Sequence, residues 1–167
     1  SSPPTTCFFM SFPWVLGHHM GALELSYATP MNTMAFQTLR ALADGAFHSG
    51  EDIARALGVT RSAVWYGIRE ITGAGLAIES VRGRGYRLEH PVSLLDAAQV
   101  QRALSSSAAT VVVEISDTVD STNTQLMRRA VAGARSGLVL AAEAQTAGRG
   151  RRGRVWHSGI GSTLAFS

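Results

Sequence analysis

The chain has 167 residues, 46% of them hydrophobic, and a formal charge of +3, which fits one ordinary globular domain or two small ones rather than a disordered polymer. All fifteen basic residues are Arg, so any mechanism that needs a lysine of this chain is excluded. The single cysteine, Cys7, excludes an internal disulfide and points to the cytoplasm, and no apolar run reaches the roughly 20 residues of a membrane span.

Residues 1–31 read as an extension foreign to the rest. Glu24 is their one charged residue, and no helical or strand period runs through them. They are expected to be disordered, or to follow from a start codon set too far upstream, with Met31 or Met34 as natural starts. The apolar run Phe8–Leu16 is short, is broken by Pro13 and has no basic residue before it, so it is not read as a signal peptide.

From Asn32 the punctuation becomes regular. A helix is expected over Thr33–Asp44, with Phe36, Leu39, Leu42 and Ala43 on one face and Gly45 as its stop. Ser49 opens a second helix, with Asp52 in the place of a capping-box partner and Ile53, Ala56 and Leu57 inward. Gly58 ends it, and Thr60 caps a third helix whose inner stripe is Val64, Ile68 and Ile71. Leu76–Val81 and Tyr86–Leu88 flank the Gly-rich turn Arg82–Gly85 as a hairpin, and Glu89-His90-Pro91 is a linker. Beyond it the pattern predicts a helix over Ser93–Leu104, broken by Ser105–Ser107, and a strand over Thr110–Ile115. A loop (Asp117–Ser121), a helix (Thr122–Ala132, with Leu126, Met127, Ala130 and Val131 as its apolar side) and a strand (Leu138–Glu143) follow. An Arg/Gly loop then occupies Gln145–Gly153, ahead of two β-prone pieces at Arg154–His157 and Ser162–Phe166.

Helices two and three, meeting at Leu57-Gly58-Val59-Thr60, make a helix-turn-helix, in which the turn glycine permits a positive φ. With the inner stripe buried, the third helix shows Arg61, Ser62, Trp65, Tyr66 and Arg69, a surface fit for a major groove. Arg82, Arg84 and Arg87 on the hairpin would meet phosphate, adding affinity and salt dependence rather than sequence reading. The competing reading is a small helical bundle with a solvated polar face, in which Trp65 and Tyr66 are core or partner contacts. Gly67 sits mid-helix, where glycine costs about 1 kcal/mol relative to alanine, so a weakened recognition helix is expected.

Gly148-Arg149-Gly150-Arg151-Arg152-Gly153-Arg154 follows a strand and precedes Val155-Trp156. Its glycines allow close backbone approach to a ligand, and its arginines offer forked donors to carboxylate and phosphate. Such a loop is expected to be loose when empty and ordered by an anion. An RNA-binding Arg/Gly tract is the alternative, although the stretch is short and unrepeated. Asp120-Ser121-Thr122-Asn123 before an amphipathic helix is, on its own, an ordinary helix cap.

In combination these strings resemble the bifunctional biotin–protein ligase/biotin operon repressor family. The resemblance is carried by Asp120–Asn123, by Glu143-Ala144-Gln145-Thr146-Ala147 with the Gly148–Arg154 string, and by Trp156, behind Gly45–Glu51 and Gly83–Tyr86. It implies an α+β protein: a winged helix over residues 32–90, then over 92–167 the opening part of a mixed-sheet catalytic domain like the class II aminoacyl-tRNA synthetase core. The implied chemistry joins biotin and ATP, with Mg2+ but no tightly bound metal, as biotinyl-5′-AMP, then passes the biotinyl group to a lysine of a carboxyl-carrier protein. The adenylate is implied to favour a homodimer on operator DNA in the cytoplasm, with no membrane partner. Ser121, Thr122, Asn123 and Gln145 would contact the biotin head, and Arg149, Gly150 and Arg151 would close over biotin and its adenylate. Gly148, Arg152, Gly153, Arg154 and Trp156 would support that flap. The family's Lys-Trp-Pro-Asn-Asp segment and small C-terminal barrel-like domain are not in the sequence, so the family's lysine has no counterpart here. The expectation is therefore that this chain alone lacks ligase activity, and that half a sheet leaves open edges and a marginal, aggregation-prone second part. The rival expectation is a DNA-binding module carrying a non-catalytic remnant.

Overall fold

The computed structural model describes residues 31–104, 111–150, 154–156 and 159–167. The expectations for residues 1–30, for the Ser105–Ser107 break, and for Arg151, Arg152, Gly153 and His157 lie outside the described residues, as do Thr110 and Ser158.

The first part is three helices and a hairpin around one core: α1 (Thr33–Leu42), α2 (Gly50–Leu57), α3 (Arg61–Gly73), β1 (Ile78–Val81) and β2 (Gly85–Leu88). Each helix begins at a side chain that accepts an otherwise orphan N–H: Asn32 from Ala35, Ser49 from Asp52, Thr60 from Ala63. Asp52 differs from a true capping-box residue, because its carboxylate accepts a hydrogen bond from the Ser49 hydroxyl (2.7 Å) rather than from the Ser49 N–H. Gly58 closes α2 at φ 66°, as the turn requires.

Phe36, Leu39, Leu42, Ile53, Val64, Ile68, Ile71 and Leu88 form the core. Ala54 rather than Ala56 is buried on α2, and Ala35 and Thr38 are buried more deeply than Ala43 on α1. Met31, assigned from sequence to the extension, is 5% exposed within this core. Gly67 is buried where α3 crosses α1. A Cβ there would stand 2.7 Å from Thr38 Oγ1 and 3.5 Å from Ala35 Cα, so the two backbones need the missing side chain.

The linker runs along the end of α1, where the Val92 N–H donates to Ala43 C=O (3.2 Å). The second part holds α4 (Ala97–Leu104), β3 (Val112–Val119), α5 (Thr122–Val131), β4 (Leu138–Gln145), and the short strands β5 (Gly148–Arg149), β6 (Val155–Trp156) and β7 (Ala165–Phe166). Its sheet is mixed: β3 and β4 are parallel, joined across α5, and β7 runs antiparallel beside β4.

Two expectations change here. The β3 strand continues through the supposed Asp117–Ser121 loop to Val119, because its ladder with β4 extends to the pair Val119 and Gln145. The α4 helix starts four residues late, where Asp96 accepts the Gln99 N–H (2.9 Å), leaving Leu94 and Leu95 outside the helix. On α5 the apolar side that marks the helix as amphipathic is largely exposed, with Met127 at 59% and Val131 at 91%. Of this helix Thr122 is buried, together with its cap Ser121.

Candidate functional site

The ligand-facing candidate lies where β3 and β4 end side by side. Val119 runs out of β3 into Asp120-Ser121-Thr122-Asn123, and Gln145 closes β4. Two backbone bonds then bind the strand ends together: Thr146 N–H to Val119 C=O (2.9 Å) and Ala147 N–H to Asp120 C=O (2.8 Å). The start of the Arg/Gly stretch is thereby fixed against the Ser-Thr-Asn turn.

Within this junction Thr122 is buried and serves as the hub. Its N–H and hydroxyl both reach Gln145 Oε1 (2.9 and 3.4 Å), and its hydroxyl also meets Ser167 Oγ (2.9 Å). The Gln145 carbonyl oxygen is thus engaged, while its amide N–H groups meet no partner among the described residues and remain free to donate. Ser121 caps α5 through a long contact to the Thr124 N–H (3.5 Å). The Asn123 side chain, half-buried, makes no hydrogen bond among the described residues. Asp120 stands behind the turn. The Ser121 N–H, with the charge of Arg128 at 2.9 Å, holds its carboxyl below the usual carboxylate range.

The expected Gln145–Gly153 loop is partly a ladder. Gly148 and Arg149 pair antiparallel with Trp156 and Val155, and the Gly150 N–H donates to Arg154 C=O (2.7 Å). The stretch is therefore a narrow hairpin with Gly148 buried at its base and Arg149 and Arg154 exposed. Arg151, Arg152 and Gly153 fall outside the described residues, and Trp156 is described as strand backbone.

Two features were not found from sequence. Ser167 joins the hub through Thr122, and a lone terminal serine carried no signal of it. Glu143 is 3% exposed in β4 and accepts a hydrogen bond from the Leu95 N–H of the linker. Desolvation pushes its carboxyl above the usual range, against the pull of that N–H and of Arg40. Arg40 of α1 pairs with Asp117 of β3 at 2.6 Å, so helix, linker and sheet meet around these charges. A carboxylate inside the apolar run Leu138–Ala144 was the available clue.

The second candidate is the outer face of α3 with the hairpin. Arg61, Ser62, Trp65, Tyr66 and Arg69 are all exposed, which sets aside a core role for the two aromatics. Arg69 lies over the Trp65 ring at 5.0 Å, and Tyr66 meets that ring edge-on at 5.1 Å. Arg61, Arg69, Arg82 and Arg84 have no carboxylate partner among the described residues. Arg87 differs, being paired with Glu79 at 2.6 Å.

Residues 35–87 match the family described as an HTH domain, and residues 115–167 match the biotin/lipoate A/B protein ligase family. The bifunctional ligase/repressor BirA of Salmonella typhimurium is 40% identical over 135 residues, which cover 81% of this chain and 41% of the relative. The protein of the same description from Escherichia coli is 38% identical over 136 residues, with the same coverage of 81% and 41%. That from Bacillus subtilis is 37% identical over 121 residues, covering 72% of this chain and 37% of the relative. The chain spans about two fifths of the length of these relatives. With an HTH domain model matching in front and a biotin/lipoate A/B protein ligase model matching behind, the chain is similar in both parts to bifunctional ligase/repressors.

Proposed function

We propose that this chain is part of a biotin-responsive ligase/repressor, with residues 32–90 binding operator DNA and residues 92–167 forming one side of a pocket for biotin and biotinyl-5′-AMP. The observation that carries the reading is the junction of the Ser-Thr-Asn turn, Gln145 and the base of the arginine hairpin at the ends of two adjacent parallel strands. Such strand ends are where ligands settle in open sheets.

In this reading the Gln145 amide, Ser121 and Asn123 satisfy the polar head of biotin. Arg149, Gly150 and Arg151 close over the carboxylate and the phosphate, with Gly148, Arg152, Gly153, Arg154 and Trp156 supporting the flap. Biotin and ATP, with Mg2+, are the substrates. The biotin carboxylate attacks the α-phosphorus, pyrophosphate leaves, and a carrier-protein lysine then takes the acyl group while AMP departs. The part these residues play is to bring two anions together and to stabilise charge that develops on phosphate. Arg61, Ser62, Trp65, Tyr66 and Arg69 meet base edges, and Arg82 and Arg84 meet phosphates. A homodimer on DNA and a cytoplasmic location complete the proposal. Among the described residues no helix is long and apolar enough to cross a membrane.

A second reading, a DNA-binding module beside a non-catalytic remnant, is favoured by the exposed apolar side of α5. Limited proteolysis with and without biotin separates the two. Biotin-dependent protection of Arg149–Arg154, lost in Ser121→Ala and weakened about tenfold in affinity by Gln145→Ala, supports the pocket. A stable fragment ending near His90, indifferent to biotin, supports the module alone. Incubation with biotin, labelled ATP and carrier protein tests turnover; the chain alone is expected to show none.

A further inference from the structure

We propose that Phe47 is a positioning residue for the DNA-binding hairpin, its ring holding the Arg84 guanidinium in place before a DNA phosphate arrives. The proposal rests on the reading of residues 32–90 as a DNA-binding unit.

Phe47 lies in the turn between α1 and α2. It is half-buried, yet it belongs neither to the hydrophobic core of the first part nor to the apolar side chains packed against that core. Two guanidinium groups cover it instead, Arg84 at 4.2 Å and Arg87 at 4.6 Å from the ring centre. The turn that carries the ring is tied to the hairpin by a reciprocal pair of backbone bonds. The His48 N–H donates to Tyr86 C=O (2.9 Å) and the Tyr86 N–H to His48 C=O (2.8 Å). Contacts of 3.0 Å from His48 Nε2 to both Asp44 carboxylate oxygens brace it from the helix side.

Two like charges beside one ring repel each other, and the structure distinguishes between them. Glu79 answers Arg87 at 2.6 Å, whereas Arg84 meets no carboxylate among the described residues. The negative face of the ring attracts Arg84, and a stacked guanidinium keeps its N–H edges clear for the fork-shaped contact that phosphate takes. An arginine on an exposed turn otherwise samples many rotamers, which binding would have to freeze. The ring narrows that choice in advance.

The test uses the full chain, a labelled mixed-sequence DNA duplex at low salt, and the variants Phe47→Leu, Phe47→Trp, Arg84→Ala and Phe47→Leu/Arg84→Ala. Phe47→Leu is expected to weaken binding about two- to fivefold, the range that follows from one exposed cation–π contact. Phe47→Trp should bind like the parent, with both variants melting at the same temperature. In the Arg84→Ala background the leucine substitution should have no further effect. Free of DNA, the Arg84 Nε–H should gain mobility in Phe47→Leu and not in Phe47→Trp, as read by NMR relaxation. Should Phe47→Leu fail to fold, Phe47→Met carries the same comparison. Parental binding by Phe47→Leu, or an equal loss with and without Arg84, would overturn the proposal and leave the ring as mere support for the hairpin. A parent chain that binds no duplex would sink the nucleic-acid reading and this proposal with it.

Discussion

Gly67 shows how a single residue can mislead when read by propensity alone. A glycine inside a helix ordinarily gains about 1 kcal/mol on change to alanine. Here the added Cβ meets Thr38 Oγ1 at 2.7 Å, a side chain of α1 that is itself fully buried. Gly67→Ala is therefore expected to lower the melting temperature rather than raise it, and Thr38→Ala in the same chain should restore part of the loss. An alanine variant as stable as the parent would show that α1 and α3 do not approach so closely. The glycine thus serves the crossing of α3 with α1, while Tyr66 beside it is exposed.

At the scale of elements, the starts of α1, α2, α3 and α5 were legible because each has a local chemical cause, whereas α4 begins four residues past its expected start. Asn32, Ser49, Thr60 and Ser121 each hold an N–H of the first turn, and the sequence displays those acceptors directly. Thr60→Ala should accordingly cost about 1 kcal/mol and reduce DNA binding in parallel, measured by denaturant melts and duplex titration. Strand limits were less legible, since they depend on partners remote in sequence. Asp117, Thr118 and Val119 fall in the expected loop, yet they sit in β3 because β4 supplies the ladder and Arg40 of α1 supplies a counter-charge for Asp117. Apolar spacing likewise marked one side of α5 without saying that the sheet would cover so little of it. For the site, the turn and the arginine string were readable as motifs. Their joining through Val119, Asp120, Thr146 and Ala147 is a property of strand register, and Ser167 and Glu143 entered only with the fold.

Across the whole molecule, the two parts are coupled by a small set of polar contacts around a buried carboxylate. Glu143 accepts from the linker at Leu95 and lies near both members of the Arg40–Asp117 pair. Its folded pKa is raised by desolvation above the ordinary value of 4.5, so the folded chain holds this proton more tightly than the unfolded chain does. Between those two values the native state binds more protons, and stability falls as pH rises through the window. Glu143→Gln keeps an acceptor for the Leu95 N–H and removes the charge. It should melt higher than the parent at pH 7, and it should lose the part of the parent's pH dependence that lies just above the carboxylate range. A variant whose melting curve tracks the parent at every pH would mean that the carboxylate is better solvated than its burial indicates.

The paired bonds from Thr146 to Val119 and from Ala147 to Asp120 give the Ser-Thr-Asn turn and the arginine hairpin a common foundation. A small molecule captured there would find both jaws already in register. Displacement of either jaw is passed to the other. Exchanging one of them for a relative's version, without its mate, should therefore leave a mismatched seat even when every side chain that faces the ligand is retained.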